Sequence, residues 1–171
     1  DVDDPNPDFC QQKYSKFYAN NIKYNSAEQY MMVQKAKTMQ DIETMNLILT
    51  ETNPEKQHNL GRKIKNYDQA RWDLYKYNIV KEGNWHKFTQ DINLLRLLLS
   101  TGKAWMVEAS DEDIIWGIGV LSDKVINNPD PNANWPGENL LGKIYMDIRE
   151  KLISEIITKD TTINDLKQFV E

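Results

Sequence analysis

The sequence predicts an α+β fold: a mainly helical single domain around a small β-sheet. Three observations carry that reading. The chain has 171 residues, of which 40% are apolar and 27% charged, enough for one domain with a real core. Helix start and stop signals recur along most of it. Short alternating runs, the signature of half-buried strands, occur near the N-terminus and again before the last long helix.

Element by element, Asp1 to Asp8 ("DVDDPNPD") is acidic and proline-containing and reads as a mobile arm. "KYSKFY" and "NIKY" alternate as two short strands. Ser26 begins the first helix, because Ser26-x-x-Gln29 resembles a capping box. A second helix is expected over Asp41 to Glu51. Asn53 before Pro54 is an N-cap and N1 pair for a short third helix that stops at Gly61. Asp68 caps a longer helix, with Trp72, Tyr75 and Ile79 on one side, expected to end near Gly83. "DINLLRLLLSTG" reads as a buried helix closed by Gly102. "KAWMVEA" and "DIIWGIGV" read as two further β-like runs. The loop "SDKVINNPDPNANWPG" leads into a helix from Glu138 to about Ile157, and a short helix is expected after Thr162. The resulting division is an arm over 1–13, a catalytic domain over 14–157 and a helical tail over 158–171.

The totals narrow the function. Lys and Arg number 21 against 26 Asp and Glu, a net charge of −5, which argues against a general polyanion-coating protein. The single Cys10 excludes an internal disulfide, and with His58 and His86 the sole histidines no metal site is expected. No apolar run approaches the roughly 18 residues of a membrane span, and nothing reads as a signal peptide, so the expected compartment is the cytosol. No GxSxG, P-loop, HExxH or CxxC motif is present.

One stretch is anomalous. In "AEQYMMVQKAKTM" a helix turning ~100° per residue brings Glu28, Met31, Met32, Lys35, Ala36 and Met39 to one side, with Tyr30, Val33, Gln34 and Lys37 on the other. A carboxylate and an amine thus share the methionine face, where burying charge is most expensive. Spacing alone permits a structural ion pair, a snorkelling lysine, or two head groups meeting one ligand. Elsewhere, Arg62 and Lys63 sit in a cationic turn ("LGRKIK") that suits either solvent or a phosphate. Gly117 and Gly119, beside Trp116, suggest close approach by a ligand or by backbone. Asn139 and Gly142 stand at a helix start, where N–H groups bind anions.

Taken in order, "YSKFY", "SAEQYMMVQKA", "LGRKIKNYDQARWD", "IVKEGNWHKFTQ", "LLLSTGKAWMVEASDEDIIWGIG" and "NWPGENLLGKIYMDIRE" resemble the NADAR, or YbiA-like, family. The resemblance runs from Tyr14 to Glu150 and implies the YbiA-like fold and N-glycosidase activity without a cofactor. Family members cleave ribose C1 from an exocyclic amine, either in ADP-ribosylated guanine or in phosphoribosylamino-pyrimidine intermediates of riboflavin synthesis. The resemblance implies that Glu28 and Lys35 are a catalytic pair, with Lys35 forming a Schiff base and Glu28 moving protons. It adds Asp113 as a ribose ligand or second acid/base. Trp72, Trp116, Gly117, Asn139 and Arg149 follow as pocket residues, with Trp72 stacking on a base. Arg62, Lys63 and Lys87 are weaker phosphate contacts. The leading expectation is removal of ADP-ribose from guanine in nucleotides or nucleic acid. The alternatives are the riboflavin-pathway reaction and a non-catalytic ADP-ribose-binding module. Two departures from the family pattern stand out: the glycine-poor "ANN" turn between the first strands, and the longer segment over 120–137.

Overall fold

The computed structural model describes residues 7–127 and 134–158, which fall into two compact units divided between Leu95 and Arg96. The α+β expectation is met: long helices dominate, and the sheet among the described residues has two antiparallel strands.

In the first unit, β1 (Phe17–Ala19) and β2 (Ile22–Tyr24) pair with Phe17 opposite Tyr24 and Ala19 opposite Ile22. Asn20 and Asn21 both take positive φ (50° and 63°), the geometry of the tight hairpin turns whose twist matches the strands. Asparagine tolerates this region, so "ANN" closes the hairpin without glycine. Phe17 and Tyr24 are buried and stack with ring centroids 5.7 Å apart, and Tyr30 meets Tyr24 edge-on at 5.0 Å.

Helix α1 (Ala27–Thr38) is the hub of this unit, packed by α2 (Ile42–Thr50), α3 (Pro54–Gly61) and α4 (Gln69–Thr89). The Ser26 hydroxyl accepts the Gln29 N–H at 3.0 Å as expected. The return bond of a capping box is displaced by one residue, because the Gln29 side-chain Oε1 accepts from Asn25 N instead. The expected one-sided burial of α1 does not hold. Tyr30 and Val33, on the side opposite the methionine face, are 1% and 2% exposed, because α2, α3 and α4 all pack on this helix.

Asp41, Asn53 and Asp68 cap the following three helices by accepting N–H groups of Thr44, Lys56 and Arg71. Gly83 does not end α4, which continues to Thr89. A Cβ there would lie 2.6 Å from the Tyr30 ring, so the glycine serves close helix packing rather than termination. Tyr75, expected beside Trp72 in the core, is half exposed, whereas Trp72 is buried.

Helix α5 (Ile92–Ser100) carries the boundary between the units. The second unit adds α6 (Ser122–Asn127) and α7 (Leu140–Thr158). Leu141, Ile144, Tyr145, Ile148 and Leu152 form the buried stripe of α7 at helical spacing. "KAWMVEA" and "DIIWGIGV" are not strands. Their backbone groups are taken locally: Asp113 Oδ1 accepts from Ile115 N and Trp116 N, and the carbonyls of Ile114 to Ile118 accept from residues 137–141. Gly119 turns the chain at φ +74°. The helix expected after Thr162 lies outside the described residues.

Candidate active site

The site is built on α1. Glu28 lies in its first turn, 3% exposed, where a carboxylate is favoured by the helix dipole. Its Oε1 stands 2.6 Å from His58 Nδ1 of α3, so the close partner of this carboxylate is a histidine rather than Lys35. The sequence assigns His58 no role, since no metal site is expected. No sequence signal links positions so far apart, and only the packing of α3 on α1 pairs them.

Two turns along α1, the half-buried Lys35 sends its amine over aromatic rings. Nζ lies 4.7 Å from the Tyr67 ring centroid and 5.7 Å from that of Trp72. Burial holds the Lys35 pKa below the ordinary lysine value; the Glu28 charge opposes this, and the Arg62 charge adds to it. Glu28, Lys35, Arg62, Trp72, His58 and Tyr67 therefore act on one locality. Tyr67, 43% exposed, is a further candidate not singled out in the sequence, although it lies inside "LGRKIKNYDQARWD". Lys63 is exposed just past the Arg62 cap. Lys87 is 1% exposed and donates to the Cys10 carbonyl at 3.0 Å. Burial brings its pKa down to about 8.

The remaining candidates belong to the second unit. Asp113 stitches its own turn, as described above, and also places Trp116, whose carbonyl accepts from Leu141 N. Asn139, at φ 54° and 4% exposed, accepts from Glu108 N and donates to the Met106 carbonyl. The N–H groups of Asn139, Leu140 and Leu141 go to the carbonyls of Gly117, Ile115 and Trp116. These three N–H groups at the start of α7 are thus committed to backbone carbonyls rather than to an anion. Gly117 fits because a Cβ would lie 2.7 Å from the Asp113 carbonyl oxygen; at Gly119 one would lie 2.8 Å from Pro136. Gly142 packs directly on the Met106 carbonyl. Arg149, 5% exposed, donates to Thr101 Oγ1 at 2.6 Å and to the Ala104 carbonyl at 3.0 Å, holding the chain that follows α5.

Among the described residues no cluster of His, Cys, Asp and Glu is placed to hold a metal ion, and no helix is long and apolar enough to cross a membrane.

Comparison with known proteins matches the NADAR domain family over residues 3–153. An N-glycosidase of Acanthamoeba polyphaga mimivirus is 44% identical over 128 residues, covering 75% of this chain and 74% of the viral protein. An N-glycosidase of Nostoc punctiforme is 32% identical over 127 residues, covering 74% and 73%. The NMR structure of Escherichia coli YbiA superposes with a TM-score of 0.74 at 24% identity, covering 92% of this chain and 84% of that one, and so shares the fold. By the extent of the family match and the identity of these relatives, the chain belongs to the NADAR domain family.

Proposed function

We propose that the protein is an N-glycosidase that removes ADP-ribose from ADP-ribosylated guanine, in a nucleotide or in nucleic acid, by cleaving ribose C1 from the exocyclic amine. The observation that carries this reading is Lys35: an amine whose pKa is lowered by burial, on the same helix as a buried carboxylate and beneath two aromatic rings. The N-glycosidase names of the relatives support the reaction class.

A lysine is useful as a nucleophile only when its nitrogen lone pair is free, which burial favours. Ring opening of the N-linked ribose gives an imine at C1. Neutral Lys35 Nζ adds to that carbon, and the guanine amine then departs with a proton, leaving C1 doubly bonded to Nζ. Water adds to this Schiff base, the C1–Nζ bond breaks, and free ADP-ribose and neutral Lys35 are restored. Glu28 gives the proton to the departing amine and recovers one from the attacking water, so the cycle is balanced. Tyr67, 43% exposed, offers a flat surface for the base, while the buried Trp72 backs Lys35.

The test is incubation with ADP-ribosylated guanosine and, separately, with a phosphoribosylamino-pyrimidine, in the presence of EDTA, with products identified by mass spectrometry. Release of ADP-ribose and intact guanosine is expected, together with borohydride-dependent attachment of the ribosyl portion at Lys35. Cleavage of the pyrimidine substrate alone would overturn the substrate assignment. Absence of any labelled Lys35 during turnover would overturn the Schiff-base route.

A further inference from the structure

We propose that His58 is a positioning residue for this reaction, fixing through Nδ1 the orientation of the Glu28 carboxylate that exchanges protons with substrate. The inference rests on the reading of Glu28 as the acid/base. Its own ground is geometric. Glu28 is 3% exposed, and a buried carboxylate needs hydrogen-bond partners. His58 Nδ1 supplies one at 2.6 Å. With Oε1 held there, the proton-exchanging role falls to Oε2.

The helix that brings His58 is itself pinned on both sides of that residue. Immediately before it, Gln57 is fully buried, and its Nε2 donates to the Glu51 carbonyl at 2.6 Å and to Asn25 Oδ1 at 3.2 Å. One turn after it, Gly61 packs so closely on Met32 that a Cβ would collide with the thioether. His58 and Gly61 on α3 thus meet Glu28 and Met32 on α1, each pair about one turn apart, so the two helices dock in a single register. The His58 side chain nevertheless keeps 32% of its surface exposed, unlike a core histidine. A histidine serving packing alone would not need its ring nitrogen on the carboxylate.

The experiment compares His58→Ala and His58→Asn with the wild type, using ADP-ribosylated guanosine as substrate. The amide nitrogen of asparagine sits where Nδ1 does, so it preserves the donor and removes the ring. His58→Ala is expected to lower kcat roughly hundredfold with KM little changed, the scale of a misplaced reacting group. His58→Asn should recover most of that loss, and added imidazole should partly rescue His58→Ala. A wild-type kcat in His58→Ala overturns the inference. So does a folded His58→Asn whose kcat has fallen as far, which decides the matter even if His58→Ala does not fold. Borohydride labelling of wild-type Lys35 in the same series separates the two levels. If the label is absent, the proposed reaction fails; if it is present and the His58 variants turn over normally, only the role of His58 fails.

Discussion

Lys35 Nζ lies 4.7 Å from the centre of the Tyr67 ring, so its amine rests against an aromatic face. The ring face favours the ammonium form, while burial, the largest cause of the lowered Lys35 pKa ahead of the charges of Glu28 and Arg62, favours the neutral amine. The lysine is therefore sheltered yet easier to deprotonate than a surface lysine.

Because the Lys35 pKa is lowered, the rate should rise with pH through a value below the ordinary 10.5. Its neighbours give predictions of opposite sign. Arg62→Met removes a charge that disfavours the ammonium and should move this limb to higher pH. Glu28→Gln removes a charge that favours it and should move the limb to lower pH. Initial rates across pH for the three proteins check this, and shifts in the same direction would refute the electrostatic account.

Glu28→Gln also tests proton transfer directly. The amide keeps the shape but cannot ionise, so kcat should fall by about 10²–10⁴. Slow borohydride labelling at Lys35 should persist, because the amine is intact. A Glu28→Gln enzyme with normal kcat would remove Glu28 from the mechanism.

The two rings over Lys35 should behave differently. Tyr67 is 43% exposed and Trp72 only 6%. Tyr67→Leu is expected to raise KM by the equivalent of about 1–3 kcal/mol of lost stacking, with little change in Tm. Trp72→Ala opens a cavity and should destabilise the fold by roughly 3–5 kcal/mol. Denaturant unfolding and steady-state kinetics on both variants separate these effects; an unchanged KM in Tyr67→Leu would exclude it from base binding.

Lys87 predicts a pH-dependent stability unrelated to catalysis. Burial holds its folded-state pKa at about 8, below the ordinary lysine value of 10.5. As pH falls from 10.5 toward 8, the unfolded chain binds a proton that the folded protein refuses, so folding stability drops; it regains stability as pH rises through that window. Between pH 8 and 10 the wild type should gain about 2 kcal/mol relative to Lys87→Met, which lacks the titrating amine. Parallel urea-unfolding curves for the two proteins across that range would show that Lys87 is not a buried amine.

The sequence by itself determined the elements with local causes. Ser26, Asn53 and Asp68 each cap the helix expected of them, and Asp41, the expected start of the second helix, caps that helix, because a side-chain oxygen reaching an N–H three residues on needs no distant partner. The motif order was likewise enough to bring out the family, and the charges of Glu28 and Lys35 on a methionine-rich helix marked the unusual place. Tertiary structure decided what depends on neighbours distant in the chain. Gly83 reads as a stop until the Tyr30 ring occupies the space its Cβ would need. "DIIWGIGV" reads as a strand until its carbonyls find N–H groups at the start of α7. Glu28 reads as the partner of Lys35 until α3 docks and brings His58 to 2.6 Å. Caps and periodicity are short-range hydrogen bonding and packing along one element, legible in order along the chain. Which carboxylate meets which histidine is set by the docking of whole helices, and that register appears only when the core is assembled.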